Sequence, residues 1–326
     1  MPSGGVRMKP ALAAILLQAS LVVVLVAAIA AMALTAHANL SRQGIATGFG
    51  FLFDRTGWDV ASSFIDQGPG DPYWRTFLAG LINTVVLSAV CIVLATAAGM
   101  VLALLGAGQS RILHGFSRLY VWTFRNIPLI VQVFFWYHVT RLLPPVRQSI
   151  ELFGCCYVSN RGLYLPHVGF DLTFTLPRLQ GFNFVGGTHL SPEFMAMVAA
   201  IVAYNIAFVA EIVNSGIRAV PPRQIEAARM IGLSDARIFW SITIPQAVRI
   251  AVPPLINQYI SLTKSSSLAI AIGYTDLFAV GVLAINHTGQ SINVIAVLML
   301  AYLCISFGIS ALGNAYNRAH ARRLGP

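Results

Sequence analysis

Three stretches of this chain, Ala11–Ala36, Phe77–Leu105 and Ser291–Leu312, run for more than twenty residues without one charged side chain. A spanning helix needs about 20 apolar residues, so each reads as a membrane helix. Composition agrees: 10% of residues are charged and 57% are hydrophobic, whereas soluble domains carry about 25% charge. The 26 residues of Ala11–Ala36 also exceed the 7–15 of a signal-peptide core. Although Ala36-His37-Ala38 has an A-x-A-like form, the expectation is a retained anchor.

Three further spans complete an expected all-α integral membrane protein of about six helices: Ile127–Leu143, Glu193–Ile217 and Ala247–Ile272. The loops between them differ in character. Residues 37–75 are polar and glycine-rich, with a short amphipathic surface segment expected around Trp58–Ile65. Residues 144–192 are long, with prolines, glycines and both signs of charge. Gly273–Gln290 reads as turn-rich.

Charge orients the bundle. With the amino terminus inside, the inner segments hold thirteen basic residues and the two longer outer loops hold seven; the remaining one is Lys264. That asymmetry follows the positive-inside rule. It accounts for the excess of 21 basic over 11 acidic residues without invoking nucleic acid. It also places Glu226–Pro245, the one polar and basic stretch between two long spans, in the cytoplasm. Pro221 and Pro222 suit the start of a helix there, because the first turn has no use for the missing N–H. Glu226 lies three residues before Arg229, the spacing of a surface ion pair. Gly232 supplies a left-handed stop, Ser234 a cap for a second helix from Asp235, and Pro245 an end to it.

Several chemistries are excluded. Lysine occurs only at 9 and 264, so no G-x-x-x-x-G-K-[ST] phosphate loop exists. The histidines are dispersed, and no Cys/His cluster has metal spacing. Cys91 and Cys304 lie in apolar runs, and the adjacent Cys155-Cys156 in an outer loop read as free thiols.

Some residues are singled out by where they fall. Lys264, about eighteen residues into an apolar segment, is costly unless paired, hydrated or able to snorkel; neighbouring serines, Ser266 among them, suit a helix break. Lys264 either supports such a break or marks the outer end of its span. Glu211 lies about two turns from the basic segment at Arg218, close enough to pair with an arginine at the inner interface. Asn205, nearer mid-span, and Tyr204 are candidates for a polar path wall.

The spacing Glu226-Ala227-Ala228, Gly232, Ile242-x-Ile244-Pro245 resembles the EAA loop of the membrane subunits of ABC importers. Arg125-Asn126-Ile127-Pro128-Leu129-Ile130-Val131-Gln132 resembles the R-G-T-P-L-L-V-Q signature of the amino-acid branch, with Asn-Ile in place of Gly-Thr. Asn257-Gln258-Tyr259-Ile260-Ser261-Leu262-Thr263-Lys264-Ser265-Ser266-Ser267-Leu268 looks like a third stretch of the same family. The outer-loop segments Pro145–Gln148 and Asn160–Pro166 resemble members of broad amino-acid specificity.

The resemblance implies a type I importer core of five helices following one added amino-terminal span. Residues 1–36 would be a cytoplasmic amino terminus and first helix, 37–75 a periplasmic loop, and 76–316 the permease domain. Within that domain, 144–192 would be periplasmic and 218–246 the cytoplasmic coupling loop, with 317–326 a cytoplasmic tail. It further implies a bacterial inner-membrane permease subunit that is not itself an enzyme and moves L-amino acids. Its partners would be a separate ATPase using ATP and Mg, a second permease subunit, identical or homologous, and a periplasmic amino-acid-binding protein. Glu226, Ala227, Ala228, Arg229, Gly232, Asp235, Arg237 and Pro245 would dock the ATPase. Gln132, Tyr204, Asn205, Glu211, Asn257, Lys264 and Ser266 are candidates for the path, and Arg125 and Pro128 carry the signature. The rival reading is a stand-alone ion-coupled carrier or channel, which requires inverted repeats and paired membrane carboxylates; neither is evident.

Overall fold

The computed structural model describes residues 10–42, 48–60, 62–108, 110–168 and 174–323. Helix α1 (Pro10–Arg42) precedes α2 (Tyr73–Ala107), α3 (Arg111–Asn126), α4 (Leu129–Arg141) and α5 (Pro192–Arg218). A cytoplasm-assigned pair follows, α6 (Pro222–Met230) and α7 (Asp235–Ile238), and then α8 (Ile244–Ser265), α9 (Leu277–Thr288) and α10 (Ser291–Arg323).

The bundle is built on α2 and α5. On α2, Leu87, Cys91, Ala95 and Ala103 are all fully buried, a stripe at helical spacing. Against it α5 presents Met197, Ala200 and Ile201, and Val133 of α4 and Leu262 of α8 close the same core. Small residues let the backbones approach. A Cβ added to Gly99 would lie 2.6 Å from the Cβ of Val209, so only glycine fits there. By contrast, the apolar side chains Val23 of α1 and Leu300 of α10 stay exposed at 66% and 62%, which suits hydrocarbon rather than water.

Among the described residues, three helices are long and apolar enough to cross a membrane: α2, α5 and α10. A fourth span arises if Asp235–Ile272 and Leu277–Thr288, bent by 52°, are one crossing. The expected third span, Ile127–Leu143, is the shorter helix α4, Leu129–Arg141, and Ile127-Pro128 separates it from α3, which ends at Asn126. Pro128 is the N-cap of α4, since proline disfavours a helical residue before it.

The expectation of a turn-rich segment over Gly273–Gln290 is corrected. After α8 the chain tightens to a 3₁₀ stretch, Ser266–Ile272, turns at Gly273 with φ 82°, and re-enters helix at Leu277. The run Leu277–Ile285 is apolar, so it packs rather than loops, with Leu277 and Val280 buried against Phe77 of α2. Polar groups of the break are met from α2. Asn83 Nδ2 donates 2.8 Å to the Thr275 carbonyl, and the Leu277 N–H donates 3.0 Å to Thr84 Oγ1. Asp276, fully buried, accepts from the Ala279 N–H at 2.9 Å, Ser266 Oγ at 3.2 Å and the Tyr302 hydroxyl at 3.4 Å.

The two outer-assigned loops also hold more structure than sequence suggests. Among the described residues of Trp58–Ile65 no helix forms, and the expected amphipathic surface segment is replaced by packed loop. Val60 is buried instead, its N–H bound by Gln67 Oε1 at 2.6 Å, and Trp58 stacks on His287 of α9. The long loop is not purely irregular, which qualifies the all-α expectation. It carries β1 (Ile150–Leu152), β2 (Cys156–Ser159), β3 (Gly162–Leu165), β4 (His167–Val168), β5 (Phe174–Thr175), β6 (Arg178–Gln180), β7 (Asn183–Val185) and β8 (Thr188–Leu190). Strands β1-β2-β3-β8 form an antiparallel sheet, with β4-β5 and β6-β7 as separate hairpins. Phe184 stacks on Tyr157 and packs against Tyr164, which ties β7 to the sheet.

Replacing Gly99 by leucine is expected to overpack the α2–α5 contact at a cost of about 1–3 kcal/mol. A fall in thermal unfolding temperature in detergent, absent from a Gly70→Leu control whose added Cβ meets open space, checks this.

Candidate functional site

The polar stretch folds as a helix–turn–helix in which backbone bonds cap the end of α6. Helix α6 starts at Pro222 with Pro221 as N-cap. It ends in a Schellman motif: the Leu233 N–H donates 3.2 Å to the Ala228 carbonyl and the Gly232 N–H donates 2.9 Å to the Arg229 carbonyl. Gly232 is the left-handed residue this motif needs, at φ 82°. Arg229 Nε bonds Asp235 Oδ1 at 2.9 Å across the turn. The expected Glu226–Arg229 pair is thereby replaced, because Asp235 at the start of α7 meets the guanidinium once the turn closes. Both partners are more than half exposed, so the pair adds under about 1 kcal/mol.

Two other expectations change. Ser234 occupies the N-cap of α7 but its hydroxyl makes no capping bond. Pro245 does not end the helix. A π-helical turn, Phe239–Thr243, joins α7 to α8, and Pro245 sits in the first turn of α8. The wider turn accommodates a residue that lacks its N–H and would crowd the carbonyl four residues back.

Burial sorts the residues of this loop. Ala228 and Ile238 are buried, at 4% and 3% exposure, whereas Glu226, Ala227, Arg229, Asp235 and Arg237 are exposed. Sequence reasoning missed the apolar part of the outer face. Met230, Ile231 and Trp240 are 83%, 77% and 60% exposed, in a stretch otherwise polar. Their signal was present as two large apolar residues immediately before the glycine stop.

The second candidate region lies between α3, α5 and α8. Glu211 bonds Arg218 at 3.3 Å and meets Arg125 at 4.0 Å, and the Arg125 guanidinium lies 5.1 Å from the Phe208 ring centroid. A cleft of about 330 Å³ opens there, lined by Arg125, Phe208, Glu211, Asn257, Gln258 and Ser261. A larger one, about 1150 Å³, shares Arg125, Phe208 and Glu211 and adds His114, Arg118 and Arg218. The Arg125–Glu211 contact therefore borders both.

Other path candidates are placed elsewhere. Asn205 is buried, donating to the Ile201 carbonyl at 2.7 Å and accepting from Gln258 at 2.8 Å, so it locks α5 to α8. Tyr204 packs on Phe208. Gln132 is buried and donates to the Phe124 and Ile127 carbonyls, each at 3.1 Å, spanning the α3–α4 break. Lys264 lies apart, beside Tyr302 and Met299 of α10 in a mainly apolar groove, and Ser266 is spent on Asp276. The bonds of Gln258 and Asp276 were not anticipated from sequence, because they depend on partners many residues away.

A family model described as the inner membrane component of binding-protein-dependent transport systems matches residues 95–326. The chain belongs to this family. It is 38% identical to the putative amino-acid ABC transporter permease protein YhdX of Escherichia coli, over 86% of this chain and 87% of that one. It is 34% identical to the general L-amino acid transport system permease protein AapQ of Rhizobium johnstonii, over 86% and 85%. Among solved structures, an amino acid ABC transporter with histidines aligns with a TM-score of 0.57 at 25% identity, covering 76% of this chain and 95% of that one. The inward-facing MetNI methionine ABC transporter, 18% identical with a TM-score of 0.54 over 76% and 97%, shares the fold. The matched region takes in the end of α2, α3 to α10 and the Glu226–Pro245 hairpin, while α1 and the part of α2 from Tyr73 to Leu94 precede it.

No atom lies within 4 Å of a Cβ added at Gly232, so substitution there is limited by backbone conformation alone. Gly232→Val is expected to cost the capped turn about 1–2 kcal/mol, whereas Gly232→Asn, which tolerates the left-handed region, keeps it. Limited proteolysis of the 226–245 hairpin in detergent-solubilised protein would show cleavage accelerated in the valine variant only.

Proposed function

We propose that this chain is the membrane-spanning permease subunit of an ATP-driven importer that carries L-amino acids handed over by a binding protein outside the membrane. The observation that carries the reading is the Glu226–Pro245 hairpin: a capped two-helix element presenting Met230, Ile231 and Trp240 to solvent. Exposed large apolar side chains in the same short hairpin as the exposed Glu226, Arg229 and Arg237 have the character of a protein-docking surface. The occupant is a separate ATPase subunit that uses ATP and Mg, since the chain has no phosphate loop of its own. Two permease subunits, identical or homologous, and two ATPase subunits complete the machine in a bacterial inner membrane. Both termini and the hairpin are cytoplasmic, and residues 144–192 are external. The charge asymmetry supports that orientation.

Closure of the ATPase pair would draw the two hairpins together and rock one bundle against the other, opening the path outward; release would return it inward. The Arg125–Glu211 cleft suits the substrate's zwitterionic head. Arg125 would take the α-carboxylate, Glu211 the ammonium, and Asn257, Gln258 and Ser261 would offer polar contacts to the side chain. At 4.0 Å the Arg125–Glu211 contact is loose, so substrate can replace it at little cost, and Arg218 retains its hold on Glu211.

The ion-coupled carrier is disfavoured by family membership. Asp276, the one fully buried carboxylate among the described residues, is occupied in capping and bonding the α8–α9 break.

Reconstitution with the ATPase and binding protein tests the reading. Glu226→Lys is expected to abolish ATP-linked uptake while the chain still inserts and purifies. Gradient-driven flux by the isolated chain would overturn the assignment. Arg125→Gln, removing a charge-assisted bond worth about 1.5–3 kcal/mol, is expected to raise the KM for uptake by roughly ten-fold or more, with basal ATP hydrolysis retained.

A further inference from the structure

Cys155 and Cys156 close the β1–β2 hairpin. Phe153 and Gly154 occupy left-handed backbone, φ 54° and 71°, and the Cys155 N–H donates 3.3 Å to the Leu152 carbonyl. Because Leu152 pairs in register with Cys156, Cys155 is the extra residue of the turn. Neighbouring side chains in a regular strand point to opposite faces. Here the turn brings both thiols together, with Sγ–Sγ 3.6 Å. Both are partly exposed and unbridged, and among the described residues their thiols hydrogen-bond only to each other.

We propose that Cys155 and Cys156 form a redox-modification site, a dithiol that disulfide oxidants of the outer compartment convert reversibly to a vicinal disulfide. This rests on the external placement of residues 144–192 proposed above. The thiolate of one cysteine attacks a sulfur of the incoming disulfide, giving a mixed disulfide and releasing one thiol. The neighbouring thiolate then displaces the second. Two S–H bonds of the protein and the oxidant's S–S bond are lost. One S–S bond forms in the protein, and the oxidant leaves as two thiols, having taken up the two electrons.

Covalent geometry makes the bond reversible rather than structural. Adjacent Cα atoms are about 3.8 Å apart across a trans peptide, below the usual 4.4–6.8 Å span of a disulfide, so the eight-membered ring is strained and easily reduced. Ring closure redirects the backbone where the turn at Cys155 meets β2 and loosens the Leu152–Cys156 pairing. It thereby re-aims Phe153, whose ring is 96% exposed at the tip.

The test uses the full chain in spheroplasts, treated with a membrane-impermeant maleimide before and after chemical reduction, then digested for mass analysis of the peptide holding both cysteines. Expected before reduction is an unlabelled peptide about 2 Da lighter, the two thiol hydrogens lost. After reduction it carries two labels, and oxidised glutathione restores the lighter form. Cys155→Ser should abolish the lighter form and leave Cys156 labelled. Double labelling that neither air nor oxidised glutathione prevents would overturn the proposal, as would a lighter form surviving in Cys155→Ser. Labelling that appears only after the membrane is permeabilised would overturn the external placement itself, a separate and recognisable result.

Discussion

Where a helix breaks inside an apolar medium, every freed N–H and carbonyl must find a partner within the protein. The junction between α8 and α9 shows this constraint at its most demanding. There the chain passes through a 3₁₀ stretch, a left-handed glycine and a new helix start within a few residues. Asn83 and Thr84 on α2 bind the loose backbone, and Asp276 caps the new helix while holding Ser266 and Tyr302. Three helices and the 3₁₀ stretch are thus fastened at one buried point. Loss of any one partner leaves another polar group without water or bond, which is why the position of α9 against α2 is well determined.

The same accounting explains what was readable in the sequence. Long uncharged runs dictate helices, and α1, α2 and α10 each contain one of them. Gly232 and the paired prolines at 221 and 222 dictate a stop and a start, and both occur there. What escaped was non-local. Leu277–Ile285 is too short to announce a span, and its burial depends on Gly80 and Phe77 in a helix almost two hundred residues earlier. Asp276 looked like a turn residue because its partners Ser266 and Tyr302 are distant in the chain. The strands of the outer loop are two to four residues each and lack a sustained alternation, so their pairing emerges from turns and an aromatic cluster. Pro245 misled for a local reason: proline is a breaker by default, and a single π turn was enough to carry the helix through it.

Within the candidate sites, residue type was informative and geometry was not. Arginines and carboxylates could be named, but their pairings depended on turn closure and helix register. Arg229 chose Asp235 over Glu226 because the Schellman turn folds α7 back beside the end of α6. Asn205, attractive as a mid-span amide, is satisfied by Gln258 and so fastens α5 to α8, leaving Asn257 and Ser261 of the same helix in the cleft. Electrostatics alone does not hold the hairpin together. Its exposed ion pair is weak, and the burial of Ala228 and Ile238, with the two backbone bonds of the cap, fixes its shape.

The π turn has a mechanical meaning. Because α7 continues through it into α8, Asp235 to Ser265 form one unbroken rod of 31 residues, about 45 Å long at 1.5 Å per residue. On the proposed function, a displacement applied beside Trp240 would pass along this continuous helix without meeting a loop. Pro253 and Pro254 soften that rod again beyond Pro245, and bending there would convert an axial push into a sideways swing of the upper half.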